Sequence, residues 1–122
     1  MSGKILILDD EEQYLLSLRN FLHEFNYAVC VAMSSEQALD AIKKDKPDLV
    51  LFDYKLPDMD GEFFLKKAKE ISPATSYILV TAWNDSVTVD RFKKMGVTDV
   101  LMKPINLENL LKSIKVILKD SK

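Results

Sequence analysis

Five side chains have the right types to act on one reacting group: Asp9, Asp10, Asp53, Thr81 and Lys103. Each closes or directly follows a short apolar run. Asp9-Asp10 follows Ile5-Leu6-Ile7-Leu8, Asp53 follows Leu49-Val50-Leu51-Phe52, Thr81 follows Tyr77-Ile78-Leu79-Val80, and Lys103 follows the run 97–102. The first three runs are apolar throughout, and all four, bounded by turn residues, are expected to be strands covered on both faces of a sheet. If the strands are parallel, all their C-terminal ends share one edge, where open α/β folds place their ligand sites. Three acids, a hydroxyl and an amine then converge from four distant segments. Neighbouring carboxylates repel by several kcal/mol at an intermediate effective dielectric, so a positive charge must offset them. Hard oxygen donors suit a divalent cation that keeps part of its water, which favours Mg²⁺. A carboxylate beside a cation, an ammonium and a hydroxyl is suited to in-line attack on phosphorus. The positive groups would neutralise the transferred oxygens, and the hydroxyl would donate to one of them.

The elements needed for this convergence can be read in order. After the first strand, Leu15, Leu18, Leu22 and Phe25 recur at helical spacing, and Asn26 is a stop signal. His23 falls beside that stripe with no second histidine or cysteine pair nearby, so a metal role is not expected. Residues 27–32 are expected as the second strand. Ser34, with Gln37 three residues on, makes a capping box for a helix to about Lys44. Leu39 and Ile42 would mark its buried side, with Ala38 and Ala41 beside them, and Lys46-Pro47 ends it. Past the turn residues Pro57, Asp58, Asp60 and Gly61 comes a third helix built on Phe63 or Phe64 with Leu65, Ala68 and Ile71. A fourth helix, capped by Asn84 or Asp85, would bury Val89, Phe92 and Met95 and stop at Gly96. Its β-branched stretch Val87-Thr88-Val89 gives it weaker intrinsic propensity than its neighbours. Asn106 caps a final amphipathic helix carrying Leu107, Leu110, Leu111, Ile114, Ile117 and Leu118. Five alternations of strand and helix imply a doubly wound α/β fold, with the first and third strands central and helices on both faces of a parallel sheet.

Composition narrows the field of functions. With 122 residues, the chain is expected to form a single domain over 1–122, with no internal linker or repeat. Apolar residues make up 48% and charged residues 30%, which excludes a disordered chain, and a net charge of −2 gives no reason for nucleic-acid binding. No apolar run reaches the roughly 20 residues that cross a bilayer, and the start has no signal-peptide core, so a cytoplasmic location is expected. Only three glycines occur, Gly3, Gly61 and Gly96, so glycine-rich nucleotide loops are absent. The single cysteine, Cys30, is expected as a buried small hydrophobe.

The motifs Ile7-Leu8-Asp9-Asp10-Glu11, the stretch from Leu51 to Gly61, Val80-Thr81-Ala82 and Met102-Lys103-Pro104 together resemble the receiver domain of two-component response regulators. The resemblance extends from Lys4 to about Lys119. It implies a flavodoxin-like five-stranded parallel sheet of order 2-1-3-4-5. It also implies that Asp53 is the phosphoacceptor, taking a phosphoryl group from a histidine kinase phosphohistidine or a phosphotransfer protein. Asp10 and Asp53 resemble direct Mg²⁺ ligands, Asp9 a ligand through water, and Lys55 a ligand through its backbone carbonyl. Thr81 matches the switch hydroxyl and Lys103 the amine that meets the phosphoryl group, with the Lys103-Pro104 bond cis. Such a domain is a regulatory switch that catalyses only its own phosphorylation and dephosphorylation. Its switching surface would be the fourth helix, fifth strand and fifth helix, its partner an output domain or target protein, and phosphorylation-dependent dimerisation is compatible with it. Residues 119–122 would be a free tail or the start of a linker to an output domain.

One position departs from the family pattern. Three residues before Lys103, where an aromatic switch residue often stands, this chain has Val100, so relay through an inward-swinging ring is excluded. Trp83, two residues past Thr81, stands where the family varies the rate of dephosphorylation and would either shield the phosphoryl group or pack on the fourth helix. Two rival readings remain at this point. A phosphohydrolase forming an aspartyl-phosphate would need an acid two residues after its nucleophile, and that position is Lys55. A pure interaction module would have no use for the acids, Thr81 and Lys103.

Overall fold

The computed structural model describes residues 3–56, 58–82 and 86–119. The strands β1 (Lys4–Leu8), β2 (Ala28–Ala32), β3 (Leu49–Asp53), β4 (Ser76–Thr81) and β5 (Asp99–Met102) alternate with five helices. These are α1 (Glu12–His23), α2 (Ser35–Asp45), α3 (Gly61–Ile71), α4 (Ser86–Lys94) and α5 (Leu107–Ile117). All strand pairs are parallel, in the order β2-β1-β3-β4-β5.

Strand side chains point alternately to opposite faces, so a strand with no polar residue must be covered on both. Leu6, Leu8, Val50, Phe52, Tyr77 and Leu79 meet Ala38 and Ile42 of α2, Phe64, Leu65 and Ala68 of α3, and Phe92 of α4. Their neighbours Ile5, Ile7, Leu49, Leu51, Ile78 and Val80 meet Leu15, Leu18 and Leu22 of α1 and Leu110 and Ile114 of α5. Of the two candidates for the buried position at the start of α3, Phe64 is taken and Phe63 is exposed. Phe25 lies beyond the end of α1 and is exposed, its ring tilted against Phe21 at 5.2 Å instead of entering the core. His23 is exposed, and Cys30 on the edge strand β2 is only half-buried. In α2, Ser35, Ala38 and Ile42 are the buried residues and Leu39 and Ala41 lie at the margin.

Local chemistry sets the helix ends. Ser34 accepts from Gln37 N–H, and the Gln37 side chain turns back to Met33 N–H. Asn106 accepts from Asn109 N–H. Asn26 and Gly96 take positive φ, 70° and 104°, where the left-handed turn ends α1 and α4. The expected caps of α4, Asn84 and Asp85, lie outside the described residues, as do Trp83 and the last three residues. β5 begins at Asp99, two residues later than expected: Val97 N–H still closes the turn after α4 by bonding to Phe92 C=O, and only from Thr98, which donates to Tyr77 C=O, does the chain join β4.

Candidate functional site

The strand register aligns the groups at the C-terminal edge. Leu8 pairs with Phe52, Asp53 with Val80, and Thr81 with Met102. Beyond the last pairs, backbone bonds continue the sheet: Asp9 N–H to Ala32 C=O, Tyr54 N–H to Val80 C=O, and Lys103 N–H to Thr81 C=O at 2.8 Å. Asp9, Asp53, Thr81 and Lys103 are thereby held in adjacent rows by the apolar strands behind them. The Lys103–Pro104 peptide is cis, as the resemblance implies.

At the edge, the Lys103 ammonium bridges two carboxylates, donating to Asp53 Oδ2 at 2.6 Å and to Asp9 Oδ2 at 2.9 Å. The other oxygens are also occupied. Asp9 Oδ1 accepts from Glu11 N–H and Asp53 Oδ1 from Lys55 N–H. Asp9 is 2% exposed, so its charge is held where water helps little and the amine is its compensation. Burial alone would lower the Lys103 pKa, but the hydrogen bonds and charges of Asp53 and Asp9 outweigh it and raise it. Lys103 therefore stays protonated across the physiological range.

A cleft of about 200 Å³ opens beside Asp53, lined by Tyr54, Lys55, Thr81, Ala82 and Lys103. Thr81 is buried at its wall. Lys55 and Asp10 are exposed. The structure thus brings Asp9, Asp53 and Lys103 into direct contact and places Asp53, Lys55, Thr81 and Lys103 around one cleft. Among the described residues, no three His, Cys, Asp or Glu side chains lie close enough to hold a metal ion. The positive charge between the two acids in this arrangement is the amine itself. The donor chemistry of Asp9, Asp10, Asp53 and the Lys55 carbonyl, all hard oxygens, still fits Mg²⁺.

The family model for the response regulator receiver domain matches residues 5–115. The chain belongs to the response regulator receiver family. It is 33% identical over 115 residues to sporulation initiation phosphotransferase F of Bacillus subtilis (strain 168), covering 94% of this chain and 93% of that protein. It is 35% identical over 106 residues to the transcriptional regulatory protein ZraR of Escherichia coli (strain K12), matching 87% of this chain but only 24% of that longer protein. Among solved structures, a CheY-like receiver domain from Methanospirillum hungatei JF-1 superposes with a TM-score of 0.91 at 33% identity, covering 98% of this chain and 96% of that one. A two-component response regulator from Clostridium difficile superposes with a TM-score of 0.90 at 31% identity, covering 96% of each chain.

The receiver domain has further residues around its site that the sequence motifs did not single out. Asp58, in the loop after β3, accepts from the backbone N–H groups of Ser35 at 2.9 Å and Glu36 at 3.2 Å. It caps α2 from outside. Burial would raise its pKa, but the hydrogen bonds from the Ser35 and Glu36 backbone N–H groups lower it below the usual carboxylate value. Tyr54, directly after Asp53, stands edge-on to Phe92 of α4 at 5.8 Å. Gly61 lets these layers close: a Cβ there would stand 3.1 Å from Tyr54 O and 3.6 Å from Phe92 Cζ. Asp60 at its N-cap accepts from Glu62 N–H, and Glu62 pairs with Arg91 of α4 at 2.8 Å. Val100 is half-buried on β5.

Proposed function

We propose that this receiver domain accepts a phosphoryl group on Asp53 from the phosphohistidine of a histidine kinase or phosphotransfer protein. The observation that carries the reading is the Lys103 ammonium shared by Asp9 and Asp53 at the lip of a cleft walled by Thr81. A carboxylate oxygen of Asp53 attacks phosphorus in line. The P–N bond to the donor imidazole breaks, its electron pair stays on the imidazole nitrogen, and an O–P bond forms on Asp53. For that attack, Lys103 must release Asp53 Oδ2 and turn its hydrogen bond onto a phosphoryl oxygen. Asp9 keeps the amine at the edge during the exchange. Thr81 then supplies a hydroxyl donor on the opposite wall. Asp9, Asp10, Asp53 and the backbone carbonyl of Lys55 would hold Mg²⁺, which would supply further positive charge near the transferred oxygens.

The output would be a shift between two populated arrangements of the α4–β5–α5 surface, read by an output domain or target protein in the cytoplasm. Self-association through the same surface would be one form of that output. The domain's catalysis would be confined to its own phosphorylation and dephosphorylation, since Lys55 stands where a phosphohydrolase needs a second acid.

Intact-protein mass spectrometry after incubation with acetyl phosphate and Mg²⁺ tests the reading. One phosphoryl group is expected on the wild type, none on Asp53→Asn, and none on the wild type when the metal is chelated. An unmodified wild type, or an Asp53→Asn variant modified equally, would sink it. Size-exclusion chromatography with and without beryllofluoride tests the self-association.

A further inference from the structure

The Lys103 side chain is a flexible four-carbon stem with an ammonium at its tip, and two carboxylates alone do not define where that tip sits. On another side it meets an aromatic ring. Tyr14, in the first turn of α1, places its ring centroid 5.0 Å from Lys103 Nζ, within the range of cation–π attraction. The ring belongs to the packing beneath the site. Tyr14, Leu18, Val80 and Ile105 enclose a gap with Asp9 and Asp53 that is too small to admit a water molecule. The Tyr14 hydroxyl is buried and has no hydrogen-bond partner among the described residues. Its face, and not its oxygen, is therefore what this arrangement uses. The amine is only partly exposed above this dry packing, so the attraction between the ring quadrupole and the ammonium is less screened than at a fully exposed site.

We propose that Tyr14 is a positioning residue for Lys103, its ring face holding the ammonium over the sheet edge so that it is delivered to the phosphoryl oxygens. The proposal rests on the phosphoacceptor reading of Asp53. With the ring in place, the amine can trade Asp53 Oδ2 for a phosphoryl oxygen without swinging out to solvent. Without the ring, the same stem samples many more rotamers and fewer encounters are productive.

Replacing Tyr14 by phenylalanines bearing no, one, two and three ring fluorines weakens the negative face of the ring while nearly preserving its shape. Tyr14→Phe is expected to accept phosphoryl from acetyl phosphate at the wild-type rate. The rate should then fall stepwise with fluorination, to about one-fifth at three fluorines. Thermal midpoints should stay constant across the series. Tyr14→Leu should show the same loss, together with disappearance of the upfield ring-current shift of the Lys103 ε-methylene protons. Equal rates across the fluorinated series in a chain that phosphorylates normally would overturn the Tyr14 proposal alone. A wild-type chain that gains no phosphoryl group would overturn the phosphoacceptor reading and this proposal with it.

Discussion

The site is assembled from two unlike parts of one sheet. At the centre, Ile5 to Leu8 of β1 and Leu49 to Phe52 of β3 are all at most 2% exposed, with helices packed on both faces. At the edge, no residue of β5 is fully buried, and Met102 is 40% exposed. The centre supplies Asp9 and Asp53, while the edge supplies Lys103. Carboxylates mounted on the dense centre have little freedom to adjust, so a change in the charge they carry must be met from the other side. The amine and the edge that bears it are the parts able to answer. Where the strand is loosely covered, the local free energy of opening is low, which is a requirement for an element that moves.

The strongest way to break this contrast is to truncate an equivalent apolar side chain in each half. Phe52→Ala, in the aromatic cluster with Phe64, Tyr77 and Phe92, should cost about 3–5 kcal/mol in urea unfolding. Leu101→Ala on β5 should cost less than about 2 kcal/mol, because its side chain already meets solvent. Equal losses would remove the contrast. A smaller effect is expected from Asp58→Ala, which frees the α2 N-terminus from the loop after β3. A cap of this kind is worth about 1 kcal/mol, and the fall should appear as a lower urea midpoint at neutral pH. Asp58 has a lowered pKa, so its contribution is present above its unfolded value of 3.8 and fades as pH falls through the folded value.

The smallest effect sharpens the picture of the centre. Burial raises Tyr77 from 10.0 to about 12. Its phenolate forms more readily in the unfolded chain, so Tyr77 stabilises fully below pH 10 and loses that contribution as pH rises towards about 12. Tyr77→Phe should flatten the alkaline limb of a stability profile in that window. It should cost little at pH 7, since the hydroxyl it removes is buried without a partner among the described residues. An unchanged alkaline limb would show that Tyr77 is hydrated and the centre less dry than its burial implies.

The fold was largely legible because β1, β3 and β4 carry unbroken apolar runs with polar residues only at their ends: a run such as 49–52 admits few placements other than a doubly covered strand. The order β2-β1-β3-β4-β5 and the parallel pairing agree with the expected fold class. The grouping of Asp9, Asp53, Thr81 and Lys103 was legible for the same reason, since parallel strands must end together. The supporting contacts were less accessible. Whether Phe63 or Phe64 enters the core depends on where α3 begins, and two adjacent phenylalanines do not reveal that phase. Asp58 reads locally as a turn acid; its actual partners, Ser35 and Glu36, are more than twenty residues away, and no spacing rule links them. Tyr14 reads as one more helix aromatic. The available signal was its place in the first turn of the helix that leaves the site edge, close to where Lys103 had to arrive.

The attachment of α4 has a mechanical consequence. Phe92 is the only residue of that helix that is buried, whereas α1 and α2 each bury three and α3 buries four. A rod embedded at several points can only slide or stay, but one embedded at a single point, with surface ties such as the Arg91–Glu62 pair, can pivot. Phe92 is the fulcrum. Phe92 itself bears on Tyr54, the residue after Asp53, and the helix runs back from it to Ser86. Through Phe92, a displacement of Tyr54 beside Asp53 would reach α4 without an aromatic ring at position 100.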